Sequence, residues 1–156
     1  MRFADVAKFI LVSFLVVGTS AMGARPARAA EPYCPNPSHQ QPQQVPANLV
    51  ARVAKALQID AAPVPGETFV RCAGATLMGC SIGANLVCGK ADTRRQIPGA
   101  TKWCHDNPGE TIIPMFATGH ATIYEWSCVG GRAVPGKAVV AVDSGGYIAE
   151  NWQTIP

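Results

Sequence analysis

The stretch Thr68-Phe-Val-Arg-Cys-Ala-Gly-Ala-Thr-Leu-Met-Gly-Cys80 sets the fold class. Two short runs, Thr68 to Cys72 and Thr76 to Cys80, flank Ala73-Gly74-Ala75, which is the pattern of a β-hairpin. The next residues, Ser81 to Cys88 (SIGANLVC), read as a tight loop that returns to the sheet. Further on, Ala121 to Val129 (ATIYEWSCV) is the strongest strand signal in the chain, and Gly130-Gly131 ends it. Thr111 to Phe116 reads as a strand, with Pro114 confining it to an edge or a bulge. Lys137 to Val142 and Tyr147 to Trp152 flank Asp143-Ser144-Gly145-Gly146 and read as a second hairpin. Two helices complete the pattern. Residues 47–58 (ANLVARVAKALQ) repeat Leu49, Val50, Val53, Ala54 and Leu57 at helical spacing, with Pro46 at the start. Pro98 to His105 forms the other, stopped by Asn107-Pro108-Gly109. The expected architecture is α+β: a small antiparallel sheet of five or six short strands, two short helices and disulfide staples.

Toward the N-terminus the composition changes. Residues 30–46 are rich in proline and glutamine without an apolar period, and read as a mobile arm before a single globular domain over 47–156. Residues 1–29 have the three parts of a signal peptide. Arg2 and Lys8 are the positive region, Phe9 to Gly18 is the apolar region, and Ala27-Arg28-Ala29 places small residues for cleavage. The uncharged run covers the 16 residues from Phe9 to Ala24, where a membrane span needs about 20. The expected product is a periplasmic or secreted protein with no membrane span after cleavage.

Charge narrows the function classes. The chain carries 13 Lys+Arg and 10 Asp+Glu, a formal +3, and the whole surplus lies in residues 1–29. The remaining 127 residues are neutral. A nucleic-acid binder needs a basic face to replace phosphate counterions, so nucleic acid is excluded as a partner.

All six cysteines, Cys34, Cys72, Cys80, Cys88, Cys104 and Cys128, follow the export segment. An even count in an oxidising compartment reads as three disulfides. Six cysteines allow 15 pairings, and sequence does not choose among them; Cys80 with Cys88 is one candidate local loop. There is no Cys-x-x-Cys, the spacing that zinc ribbons and thiol redox pairs use. Neither metal nor cofactor is expected.

Met78-Gly79-Cys80-x-x-Gly83-Ala84-Asn85-Leu86-x-Cys88, Asn107-Pro108, Tyr124-Glu125-Trp126-x-Cys128 and Val142-Asp143-x-x-Gly146-Tyr147 before Trp152 stand together in this chain. Over residues 67–156 this set resembles a family of small exported, cysteine-containing bacterial proteins of uncharacterised function. The resemblance implies a shared fold and export, and no activity.

Several residues carry candidate chemistry. His120 stands at the mouth of the strongest strand, with Asp143 or Glu150 as an acid/base partner for hydrolysis. Asp143-Ser144-Gly145-Gly146 echoes a serine-nucleophile turn, but a tight turn needs the same residues for conformation alone. Tyr124, Trp126 and Cys128 alternate and share one face of a strand, the arrangement of a core row. Trp152, if exposed near Tyr147, would be a ligand platform. Arg94 and Arg95, with Lys90, form a small basic cluster suited to a carboxylate. Two function classes remain. One is an exported non-catalytic binding domain of the bacterial envelope, for a protein or a glycan. The alternative is a small envelope hydrolase using His120 with a carboxylate. A cleft joining His120 to Asp143 or Glu150 favours the hydrolase, and a flat aromatic or basic patch favours the binder. No oligomeric state follows from these features.

Overall fold

The computed structural model describes residues 32–59 and 66–156. Residues 1–29, where the sequence pattern predicts a signal peptide, lie outside the described residues. The chain is α+β, with a four-stranded antiparallel sheet, a separate two-stranded hairpin, few short helices and three disulfides.

The sheet is ordered β1-β2-β3-β6, from Gln43–Gln44 (β1), Thr68–Ala73 (β2), Thr76–Ser81 (β3) and Gln153–Thr154 (β6). β2 and β3 form the expected hairpin, with Ala73 opposite Thr76 and Gly74 at φ +60° in the two-residue turn. Alternation sends the two sets of side chains to opposite faces. On one face Val70, Cys72 and Leu77 pack with Cys34, Leu49, Val53 and Ile155. Leu49 and Val53 come from the start of helix α1 (Val50–Leu57) and the turn before it. Gly79 lies on this face because a Cβ there would stand 2.7 Å from Ile155 Cδ1. On the other face Cys80, Cys88, Tyr147 and Trp152 form a second cluster, with Phe69, Met78 and Leu86 at its margin.

A third cluster sits away from the sheet. Helix α2 (Pro98–Asp106) supplies Ala100 and Cys104, and the hairpin of β4 (Tyr124–Val129) and β5 (Arg132–Ala138) supplies Cys128. Ile97 and Ile113 fill the remainder. Each cluster contains one disulfide: Cys34–Cys72, Cys80–Cys88 and Cys104–Cys128. A chain that divides its apolar residues among three small cores gains most from such staples, because none of the cores is large enough to hold its own surroundings.

The structure departs from the sequence reading at three places. Thr111 to Phe116 is not a strand. Ile112 makes a single bridge to Ser127, and Pro114 starts a helical turn, α3 (Met115–Thr118), whose first free N–H groups its carbonyl accepts. Proline suits a helix start because a missing N–H costs nothing there. Gly130-Gly131 is a hairpin turn joining β4 to β5, with φ +57° and +75°, values that a two-residue type I′ turn requires and glycine reaches without strain. Lys137 to Trp152 holds the expected turn at Asp143-Ser144-Gly145-Gly146, but not two strands. A bridge of Val142 with Ile148 and bonds between Asp143 and Tyr147 close it, and Ala149–Asn151 then winds into a 3₁₀ turn. In the sequence, the one expected anchor for the arm of residues 30–46 is Cys34, if that cysteine is bridged, as it is to Cys72. The structure adds the pairing of Gln43 and Gln44 with Val70 and Phe69, and the packing of Val45 on the first cluster.

Gly99 keeps α2 against α3, since a Cβ at that position would overlap the Ala117 carbonyl oxygen. Backbone cannot swing aside as a side chain can. Gly99→Ala therefore lowers stability by about 1–3 kcal/mol, measured by urea unfolding, and an unchanged midpoint would refute the close approach.

Candidate binding cleft

The C-terminus of α3, the start of β4 and the C-terminal segment surround a cleft of about 260 Å³. Gly119, at φ +82°, ends α3 and turns the chain into His120. β4 contributes Tyr124 and Trp126 to the wall, half-buried on the inward side of the strand, while Glu125 and Ser127 face out. Trp126 also packs on the third cluster, so the row doubles as core and cleft wall. The 3₁₀ turn contributes Glu150 and Asn151, and the loop closed by Cys80–Cys88 contributes Asn85.

Polar groups in the cleft are partly committed. Trp126 Nε1 donates to Thr122 Oγ1 at 2.9 Å, and Asn151 Nδ2 donates to the Val87 carbonyl at 2.8 Å. His120 Nδ1 is buried and has no partner among the described residues. Glu150 is exposed at the rim. His120 and Glu150 thus share one cleft, with no hydrogen bond between them among the described residues. Asp143 does not line it.

Asp143 is held elsewhere. Its carboxylate accepts from Arg71 Nη2 and from the Gly145 and Tyr147 backbone N–H groups. Desolvation pushes its pKa up, but the Tyr147 N–H, Arg71 and the Gly145 N–H together outweigh burial and hold it below the usual carboxylate range. The serine of this turn is exposed, and the Asp143 hydrogen bonds to the Gly145 and Tyr147 N–H groups hold the segment as a tight turn.

The aromatic platform expected at Trp152 and Tyr147 is overturned by burial. Trp152 is 4% exposed and Tyr147 1%. Their rings meet edge to face at 5.7 Å, and the Arg71 guanidinium lies 4.2 Å from one ring centroid and 4.5 Å from the other. A charge from β2 draws both rings onto the sheet.

The basic cluster is dispersed. Arg94 is forked onto Asp92, with Nε at 2.9 Å from Oδ1 and Nη2 at 2.6 Å from Oδ2. That hydrogen-bonded fork, outweighing burial, holds the Asp92 carboxyl below its ordinary range. Arg95 covers the Tyr124 ring at 4.9 Å, and Lys90 sits on the Tyr147 ring at 4.1 Å. His105 is exposed, and its neighbour Cys104 is bridged to Cys128.

Sequence reading passes over Asn151, Thr122 and Arg71, and takes Asn85 only as part of a glycine loop. Loop amides give no signal of their own. Arg71 does give one, as the single charge in an apolar hairpin. Among the described residues no group of three or more His, Cys, Asp or Glu is placed to hold a metal, and no helix is long and apolar enough to cross a membrane. No protein-family model, curated protein or solved structure matches the chain.

Proposed function

We propose that this chain is an exported, non-catalytic binding domain of the bacterial envelope, and that the cleft between α3, β4 and the C-terminal turn holds a segment of glycan. The observation that carries this reading is the composition of the cleft. Two aromatic side chains stand beside amides, a histidine and a carboxylate around about 260 Å³. Apolar walls with a few convergent polar groups are the usual makeup of a small-ligand site. Sugars present apolar C–H faces to aromatic rings and hydroxyls to amide and imidazole groups. His120 Nδ1 is buried without a partner among the described residues, and a ligand hydroxyl that reached it would supply one. Export is supported by the signal-peptide pattern of residues 1–29 and by three disulfides that use every cysteine.

One observation favours the hydrolase as a second reading: His120 and Glu150 line the same cleft. Against it, a histidine base works when a partner orients its ring, and Nδ1 has none among the described residues.

Glycan-array capture followed by mass analysis of the recovered glycan separates the two. Binding predicts a retained, uncleaved glycan, weakened about tenfold or more by Tyr124→Ala and by His120→Ala. Glu150→Gln then has the smaller effect. Cleaved products that vanish in both His120→Ala and Glu150→Gln would establish the hydrolase instead. An array without any captured glycan would sink both.

A further inference from the structure

A second recess, of about 250 Å³, opens beside the Asp143–Gly146 turn and shares no lining residue with the cleft. Arg71 lines it, and this side chain is 2% exposed. Of its donors, Nη2 serves Asp143. Nε is closed to solvent and has no partner among the described residues, so the donor open to the recess is Nη1, from which no described group accepts. Gln40 lines the recess too, its Nε2 donating to the Gly74 carbonyl at 3.5 Å and its Oε1 remaining an acceptor, while the other polar side chains offer donors. Gln41 Oε1 is occupied by the Tyr147 hydroxyl at 2.8 Å, which leaves its amide NH₂ free. The Ser144 hydroxyl, on an exposed turn, has no partner among the described residues.

Charge points the same way. Lys90 stands on the outer face of Tyr147 and donates to the Gly145 carbonyl, at the edge of the recess. Among the described residues, Arg71 is paired with Asp143 and no ion pair engages Lys90, which leaves one positive charge in excess here. A recess with unmet donors and a surplus cation is complementary to a group that only accepts hydrogen bonds and carries one negative charge. Carboxylate is that group, and a guanidinium N–H donates to it with the assistance of charge. We propose that the recess is a binding site for a small carboxylate, held by Arg71, Gln41 and Ser144. This site is independent of the glycan reading of the cleft.

The test is a nitrogen–proton NMR titration of the disulfide-bonded chain with acetate, glucuronate and neutral acetamide. Acetate and glucuronate are expected to shift the Arg71 Nε–H and the Ser144 and Gly145 amide signals saturably, and acetamide is not. Tighter binding of glucuronate than of acetate assigns the carboxylate to a sugar acid, and equal binding assigns it to a free acid. Ser144→Leu, on the exposed turn, is expected to weaken acetate about tenfold at an unchanged unfolding midpoint. No saturable shift with either acid would overturn the proposal. So would an equal response to acetamide, or acetate binding unaltered in Ser144→Leu.

Discussion

Arg71→Ala loses about 3–5 kcal/mol of folding stability, because it removes a buried side chain together with the cation of a half-buried ion pair. The loss has three components. Asp143 keeps its backbone N–H donors but loses its cation. Tyr147 and Trp152 lose the guanidinium between them, and a void opens where a side chain 2% exposed had been. The double variant Arg71→Met/Asp143→Asn separates these effects, since it fills the space and strands no charge. It is expected to recover more than half of the loss, measured by urea unfolding at neutral pH. The same pair sets an acid limb. The folded Asp143 carboxyl lies below its ordinary value of about 3.9. Its contribution is therefore complete above that ordinary value and disappears as pH falls through the folded one. In Asp143→Asn this part of the acid-side loss is absent. Parallel acid limbs in the two proteins, compared from neutral pH downward, would show that the pair does not couple stability to pH.

The parts of the fold that were legible are those set by neighbours in sequence. The hairpin over Thr68 to Cys80 needs one turn with glycine, and the Cys80–Cys88 loop closes across eight positions. The helices over residues 50–57 and 98–106 follow from periodicity and from proline and glycine punctuation. The features that escaped are set at a distance. Tyr147 and Trp152 read as a strand and a platform, because nothing nearby says that Arg71, far upstream, holds their rings against β2. Pro114 is compatible with an edge strand and with a helix start, and the pairing of Ile112 with Ser127 decides for a single bridge followed by a helical turn. Gly130-Gly131 ends β4 and begins its partner at once, because residues 132–138 fold back and pair with β4. The cleft was half legible. His120 and Glu150 were candidates by residue type, and the fold brings them to one cleft, while Asp143 is drawn to Arg71.

Replacing both Cys104 and Cys128 by alanine is expected to cost about 2–5 kcal/mol, and the damage should be local. The cluster that this bridge crosses has five buried residues, and two of them are the cysteines. A two-stranded hairpin is marginal without a third strand or a helix packed on it, and the bridge is what fastens α2 to β4. Other ties between the β4–β5 hairpin and the remainder include Cys128 N–H to the Thr111 carbonyl at 3.0 Å, the Ile112–Ser127 bridge, Arg95 Nη2 to the Pro135 carbonyl at 3.5 Å and Arg95 on the Tyr124 ring at 4.9 Å. Hydrogen exchange should therefore quicken across residues 98–138 while amides of β2 and β3 stay protected, since their clusters keep their own disulfides. Uniform quickening along the chain would instead mean that all three clusters unfold as one unit. The two sites divide along the same line. Tyr124 and Trp126 belong to the released hairpin, so glycan capture by the cleft should fall with it. Arg71, Gln41 and Ser144 lie with the sheet and the turn packed on it, so carboxylate binding in the recess should persist in the same variant.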